Sequence, residues 1–334
     1  MADECEDRGI LHKVCAKIVL KVLFIARRCR PDLYWTVNVL ARAVTKWTVG
    51  HDKRLHRLMC YLWNTRDYVM HNHVGNDAKD ISLCYFSDAN FAGDRLDSKS
   101  TSGGYIALGG SHTFVPLTWL CKKQSAVSHS SAESEFIALE AGIRMLCMPM
   151  LLLWDTVIRV MGKVPDTTPE TRTLKHPYPW SMNVDWVPPQ MPPSLGLAKI
   201  VICEDNDAVL KMVKKGRMPK LLHVARTHRV NLHTVQDALR DPAYRPRYIN
   251  TKAQIADMFT KGSHTSALWN DLLARAQIED AKVFTTTKNQ TIKDSLKAAA
   301  DALNPEMLEK HGISTEMVCV KPRRSQSCSA LRRK

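Results

Sequence analysis

The segment "CYFSDANFAGDRLDSKSTSGGY", residues 84–105, decides the predicted fold, because in it an apolar, aromatic run ends in Asp88 and opens into a charged loop. A strand that ends in a carboxylate presents it at the carboxyl edge of the sheet, where α/β folds collect ligands and metals. Aspartates also end strands on surfaces that bind nothing. Asp88 therefore indicates a site only if further acids reach the same edge.

Around Asp88 the hydrophobic pattern has the period of β-strands. Three strands are predicted in succession: "ISLCYFSD", "GGYIALGG" and "HTFVPLTWLCKK". Gly109-Gly110-Ser111 supplies a hairpin turn between the second and the third. The three strands are expected to form an antiparallel meander.

Downstream of the meander, helical and strand-like segments alternate. Serine caps open a long helix, "SSAESEFIALEAGIRMLCMPMLLLWDTVIRVMG", which Pro149 is expected to kink. The remaining predicted elements are a buried strand "AKIVICED", helices at 206–215 and 222–240, a short strand "RYINT" and a short helix "KAQIADMFTKG" that stops at Gly262. This order predicts an α/β fold, a mixed five-stranded sheet flanked by helices.

Three segments differ from this pattern. Residues 1–75 carry apolar positions every three to four residues and predict a small helical unit, interrupted at Arg30-Pro31-Asp32. Eight prolines between 163 and 197 predict an extended insertion loop within the α/β region, 80–278. Residues 279–334 are polar and rich in lysine, which predicts a basic, loosely ordered tail.

Charge and cysteine content narrow the class of protein. The net charge of +15 and pI near 9.4 are typical of a protein that meets a polyanion, although a basic surface without a partner gives the same values. None of the ten cysteines forms a C-x-x-C pair, which argues against a zinc ribbon and fits reduced thiols inside the cell, in cytoplasm or nucleus. The acidic start "MADECEDRGI" is unlike a signal peptide, and the apolar runs "VLFIA" and "MLCMPMLLLW" are too short to cross a membrane, so no membrane partner is predicted.

Four acids stand where this order of elements brings the chain to one edge of the sheet. They are Asp88 after the first strand, Glu135 in the long helix, Asp205 after the fourth strand and Asp257 in the last helix. Mg²⁺ prefers carboxylate oxygens to thiols or imidazoles. Two such ions about 4 Å apart can activate water and stabilise the leaving oxygen in phosphodiester cleavage. The four acids therefore predict a metal site.

Within "SAESEFIALEAG" the acid that faces the sheet must be chosen between Glu133 and Glu135. Two residues apart on a helix, they point about 200° apart. Steps of three, four and seven from Glu135 reach Ala138, Leu139 and Gly142, a small apolar stripe suited to packing on strands. The face of Glu133 is mixed. Glu135 is therefore the predicted ligand, and Glu133 is expected in solvent.

Five blocks follow one another in fixed order between residues 81 and 277. They are "YFSDANFAGDRLDSKSTSGGYIALGG", "WLCKKQSAVSHSSAESEFIALEA", "ICEDNDAVLKM", "HVARTHRV" and "AQIADMFTKG". Together they resemble the ribonuclease H domain of copia-type retrotransposon Pol polyproteins. Upstream, "ARRCRPDLYWTVNVLARAV" and "HRLMCYLWNTRDY" resemble the end of the reverse transcriptase thumb and connection. The resemblance implies a ribonuclease H-like fold over 80–278, preceded by a helical remnant of reverse transcriptase.

The resemblance also implies an activity, the hydrolysis of the RNA strand of an RNA–DNA hybrid with two Mg²⁺ ions, or Mn²⁺ as a substitute. The metal-binding acids of the family fall on the same four positions. Partners would be the hybrid and the remainder of a reverse transcriptase polyprotein. The candidate nucleic-acid contacts are Lys122, Lys123, Gln124, Arg226 and His228. A solvated strand end at 122–124 and a structural role for the histidine are the alternatives.

Several departures from the family favour other outcomes. No Y-x-D-D motif occurs, so the polymerase palm is not expected in this chain, and Asn90 and Phe91 stand where the family has an acid and a tryptophan. The segment 163–197 is an insertion. A catalytically inactive nucleic-acid-binding module and a non-functional retrotransposon remnant are therefore kept as alternatives.

Overall fold

The structure is a computed structural model that describes residues 7–94, 96–162, 196–215, 221, 223–228, 230 and 232–282. Its strands are β1 (Tyr68–Met70), β2 (Ser82–Asn90), β3 (Thr101–Gly110), β4 (Thr113–Lys123), β5 (Ile200–Glu204), β6 (Tyr244–Tyr248) and β7 (Ile278–Asp280). Its α-helices are α1 (Cys15–Ala26), α2 (Tyr34–Arg42), α3 (Val49–Asn64), α4 (Ser131–Gly142), α5 (Met148–Met161), α6 (Asp207–Lys215), α7 (Val224–Thr227), α8 (Leu232–Arg240) and α9 (Ser266–Arg275).

A five-stranded mixed sheet in the order β4-β3-β2-β5-β6 forms the centre of the protein. The meander β2–β4 is antiparallel, whereas β5 and β6 run parallel to β2. This confirms the predicted α/β class and the predicted meander with its hairpin. Strands β1 and β7 form a separate antiparallel pair that the sequence pattern did not reveal.

Alternating side chains of the sheet build two cores, one on each face. Tyr85 and Ile106 face the core that contains α4 and α5. Tyr105 and Trp119 face the other core, which they share with α1, α2 and the segment around Phe259. Trp119 also donates a hydrogen bond from Nε1 to the Ala26 carbonyl, 2.9 Å away. The predicted N-terminal helical unit therefore packs directly on the sheet.

The long helix runs from Ser131 to Met161 with one irregular turn. The Ser130 side chain caps its start by accepting a hydrogen bond from the Glu133 N–H at 3.2 Å. The irregular turn is a π-helical stretch, Ile143–Cys147, directly before the turn that holds Pro149, so the helix accommodates the proline's missing N–H with a locally widened turn. This helix is long and apolar enough to span a membrane, but 61% of its most apolar window is buried inside the protein. That burial is the environment of a core helix.

Some predicted boundaries were wrong. The last sheet strand was expected at "RYINT" but is "YRPRY", Tyr244–Tyr248, where Pro246 is tolerated because β6 is an edge strand. The expected helix in "KAQIADMFTKG" is two 3₁₀ helices, Thr251–Ala253 and Ile255–Phe259. Most of the predicted proline-rich loop and nearly all of the predicted tail lie outside the described residues.

Candidate metal centre

Three of the four predicted acids meet at the carboxyl ends of β2 and β5. Asp88 and Asp205 reach this edge because β2 and β5 are parallel neighbours, and Glu135 approaches from the first turns of α4. One carboxylate oxygen from each of the three lies within 4.8 Å of the others. Asp88 and Glu135 are buried, and Asp205 is half-buried.

Burial and mutual repulsion shift the ionisation of these carboxyl groups. Burial, reinforced by the charge of Asp257, raises the pKa of Asp88 to about 7. Burial and the charge of Asp88 raise the pKa of Glu135 to about 11, although the backbone N–H of Ala89 partly offsets this. Burial also raises the pKa of Asp205, against a hydrogen bond from Thr251. A nearby cation would relieve this repulsion.

The fourth acid, Asp257, lies on the 3₁₀ segment beside this trio. The segment is tied to β2 by Gln254, whose Nε2 donates a hydrogen bond to the Ser87 carbonyl at 2.7 Å. The Thr260 hydroxyl donates to Asp88, and Lys261 forms an ion pair of 2.6 Å with Asp257. The charge of Asp257 contributes to the raised pKa of both Asp88 and Asp205, which places it at the rim of the cluster.

Gly103 allows this segment to approach the sheet so closely. It pairs with Asp88 in the register of β2 and β3. A Cβ atom at this position would lie 2.5 Å from the Thr260 methyl group and 2.9 Å from the Ala256 carbonyl oxygen. A side chain here would therefore push away the residue that hydrogen-bonds Asp88.

Sequence reasoning missed two ionisable groups of the site. Glu204, next to Asp205 at the end of β5, is fully buried, and burial raises its pKa well above the ordinary value. Burial opposes the charge of Lys261, yet the carboxylates of Asp88 and Asp257 raise its pKa. The spacing of Asp257 and Lys261, four residues apart, was the available signal for the pair.

The donor set fits a hard divalent cation. All the converging ligand atoms are carboxylate oxygens, the chemistry that Mg²⁺ prefers. Glu135 Oε2 and Glu204 Oε2 are buried without a hydrogen-bond partner, which is costly unless something else satisfies them. Asp88, Glu135 and Asp205 would hold the ion, and Asp257 stays a predicted ligand.

The predicted nucleic-acid contacts lie in different environments, some exposed and some internal. Lys122 and Arg226 are exposed. Lys123 forms ion pairs of 2.6 Å with Asp94 and 2.8 Å with Asp97. The side chain of Gln124, by contrast, points inward. Gln124 is buried, and its Nε2 donates to Ser102 Oγ at 3.0 Å and to the Ser134 carbonyl at 2.9 Å, so its role is internal.

His228 is also internal, and it shows that the expectation of a solvated Glu133 was wrong. The Glu135 face packs on the sheet as predicted, with the would-be Cβ of Gly142 directly against the Tyr85 hydroxyl. Glu133, however, is only 2% exposed. The segment carrying His223 and His228 covers it, at 3.3 Å and 3.6 Å from its Oε1. Helix α4 is buried on both sides, so its amphipathic pattern could not identify the outer face.

We expect a pH-dependent effect of replacing Asp88 with asparagine in the metal-free protein. The carboxyl group ionises near pH 4 when unfolded, about its ordinary value, and near 7 when folded. Between these values the folded state holds a proton that the unfolded state has lost, so the contribution of Asp88 to stability falls as pH rises. The thermal midpoint of Asp88→Asn minus that of wild type should grow between about pH 4 and about pH 7. A difference that shrinks with pH contradicts the shift.

Comparison with known proteins gives homologues along most of the chain. The chain is 27% identical to the Retrovirus-related Pol polyprotein from transposon RE2 of Arabidopsis thaliana over 232 residues, which is 70% of this chain and 13% of the polyprotein. It is 27% identical to the corresponding RE1 polyprotein over 273 residues, 81% of this chain and 15% of that protein. The chain therefore spans about one seventh of these relatives.

A third relative is matched over most of its own length. Secreted RxLR effector protein 161 of Plasmopara viticola is 34% identical over 118 residues, 35% of this chain and 78% of that protein. No family model matches the chain. Among solved structures, the NurA nuclease from Sulfolobus solfataricus overlaps 67% of this chain and 63% of its own, with 10% identity and a TM-score of 0.21, which does not establish a shared fold.

Proposed function

We propose that this chain, which belongs in one family with the retrotransposon Pol polyproteins RE1 and RE2 and with the Plasmopara protein, is a ribonuclease H-like nuclease. It hydrolyses the RNA strand of RNA–DNA hybrids as part of a Pol polyprotein. The observation that carries the proposal is the convergence of Asp88, Glu135 and Asp205 at one edge of the mixed sheet. The homology supports the assignment to a Pol polyprotein, and the acidic cluster supports metal-dependent hydrolysis.

The chain's own groups prepare the site for a phosphodiester. Asp88, Glu135 and Asp205 would hold Mg²⁺, and the bound ion would supply a nucleophile at neutral pH and stabilise the leaving oxygen. Thr260 fixes the orientation of Asp88 through its hydroxyl hydrogen bond. Lys261, which is 38% exposed, places a positive charge beside the acids, where a phosphate would lie.

Hybrid binding would rest on backbone phosphates and 2′-hydroxyl groups rather than on base edges, because protein side chains read A-form helices largely by shape. Lys122 is exposed one residue beyond Cys121, which lies opposite Gly103 beside the site. It is therefore the candidate phosphate contact nearest the site on β4. The net charge of +15 is in keeping with such a ligand.

The proposal is tested by incubating the full chain with an RNA–DNA hybrid labelled on the RNA strand, with Mg²⁺ or with EDTA. We expect shortened RNA fragments with Mg²⁺, intact RNA with EDTA and an intact DNA strand in both. Binding without cleavage in Mg²⁺ would identify an inactive nucleic-acid-binding module instead.

We also predict that hybrid binding depends steeply on salt. In the Asp88→Asn variant, affinity should survive because cationic side chains supply it. If binding involves three phosphate contacts, affinity should fall roughly 40-fold between 50 and 200 mM salt. Lys122→Gln should reduce the slope of log affinity against log salt by about one. Lys79→Gln is the matched control, since this exposed lysine lies at the opposite end of β2. Affinity that is flat with salt contradicts the prediction.

A further inference from the structure

A second cluster of ligand-type side chains lies on the far side of α4 from the sheet. Glu133 Oε1 is 3.3 Å from His223 Nε2 and 3.6 Å from His228 Nε2. The side chains of Glu133 and His228 are 2% and 1% exposed, whereas that of His223 is 40% exposed. The second carboxylate oxygen, Oε2, accepts a hydrogen bond from the His129 N–H at 3.0 Å. The carboxylate is therefore held with one oxygen turned toward two imidazoles.

None of the three converging atoms has a hydrogen-bond partner. Glu133 Oε1, His223 Nε2 and His228 Nε2 are all buried atoms, and neither nitrogen is aligned for a hydrogen bond to the carboxylate. Leaving buried polar atoms unsatisfied costs about 1 to 3 kcal/mol each. The arrangement is thus unfavourable unless an imidazole is protonated and pairs with the carboxylate, or a cation binds among the three atoms.

Two of the three distances, from Glu133 Oε1 to the two imidazole nitrogens, match the spacing of ligands around a tetrahedral zinc ion. Zn–N and Zn–O bonds of 2.0 to 2.2 Å place neighbouring ligand atoms about 3.3 to 3.6 Å apart. Among the described residues, only Asp88, Glu135 and Asp205 already bring three ligand atoms within 4.8 Å of one another, so the two imidazole nitrogens are further apart. His223, the exposed one, must turn toward His228 to complete the set.

We propose that Glu133, His223 and His228 form a zinc site separate from the carboxylate cluster. Imidazole nitrogens with one carboxylate suit Zn²⁺, whereas Mg²⁺ prefers the all-oxygen cluster. The exposed His129, whose ring centroid is 5.3 Å from that of His223, is the nearest further imidazole for a fourth position. The ion would fasten the segment 223–228 to the start of α4, two residues before Glu135. This inference does not rest on the proposed nuclease function.

The test uses the full chain with the carboxylate cluster disabled by Asp88→Asn and Glu135→Gln. After removal of metals with a chelator, the protein is titrated with Zn²⁺ and Co²⁺ in excess Mg²⁺. We expect one tightly bound ion per chain and a higher thermal midpoint with Zn²⁺. Co²⁺ should give the visible bands of a tetrahedral site without the near-ultraviolet band of thiolate ligation, which separates this site from the ten cysteines.

Single replacements added to this background locate the ion. His228→Gln should weaken Zn²⁺ binding by about 100-fold or more, since even changes around a ligand cost 10- to 100-fold. His223→Gln should do the same, and this partly exposed position is expected to leave the fold intact. His112→Gln, at the exposed turn between β3 and β4, is the matched control. Absence of tight Zn²⁺ binding, equal binding by all variants, or a thiolate band would overturn the proposal.

Discussion

Asp88→Asn is expected to lower Mg²⁺-dependent cleavage of the RNA strand by about a thousandfold or more, because losing one ligand of the proposed two-metal site would remove several kcal/mol of transition-state stabilisation. Of the three converging acids, Asp88 is the most buried. Its carboxylate approaches those of Glu135 and Asp205, and it accepts the hydroxyl hydrogen bond of Thr260. The measurement is the single-turnover rate on a labelled hybrid at saturating Mg²⁺.

Two further variants test whether the loss of rate is specific to the carboxylate cluster. Glu135→Gln should cause a comparable loss, since its carboxylate belongs to the same trio. Asp77→Asn is the matched control, because this 80% exposed aspartate lies before the opposite end of β2 and its loss should leave the rate unchanged. Glu133→Gln does not serve as a silent control, because that side chain is buried against His228. Equal rates for wild type and Asp88→Asn would contradict the assignment.

Arg30→Met is expected to lower the free energy of unfolding by about 3 to 5 kcal/mol, because it leaves a buried aspartate without its counter-ion. Arg30 binds Asp32 through two hydrogen bonds, of 2.9 Å from Nε and 2.7 Å from Nη2. It also donates to the Thr65 carbonyl and hydroxyl at 2.9 Å and 2.7 Å. The Asp32 side chain is 0% exposed. Urea denaturation of the metal-free protein measures the loss.

The cause of that loss is separable from the loss of side-chain volume. In the double variant Arg30→Met, Asp32→Leu the buried charge is gone, and most of the stability should return. Arg28→Met is the control, since this exposed arginine lies over the face of the Phe24 ring, and its replacement should cost no more than about 0.5 kcal/mol. If Arg30→Met and Arg28→Met cost the same, the buried pair does not stabilise the fold.

The sheet and the carboxylate cluster were predictable from the sequence because both depend on local patterns. Each of β2 and β5 is an apolar run that ends in acids, and parallel neighbours bring such ends to one edge. The "AESEF" pattern oriented Glu135 correctly, since Gly142 on the same face packs on Tyr85. Fold class and the first three acids followed from these signals.

The environment of Glu133 could not be predicted in this way. Its partners His223 and His228 lie about ninety residues further along the chain, and no periodicity in α4 announces that a second layer covers the helix. The predicted position of the edge strand β6 was also wrong. The strand contains Pro246, which is unfavourable inside a sheet, yet at the sheet edge its missing N–H interrupts no ladder.

The central claim is tested most directly by one labelled RNA strand, offered to the full chain in Mg²⁺ as an RNA–DNA hybrid, as an RNA duplex and as a single strand. A ribonuclease H-like activity predicts cleavage of the strand in the hybrid alone, abolished in that hybrid by Asp88→Asn. Equal cleavage of all three forms, or cleavage of the hybrid that persists in Asp88→Asn, would contradict it.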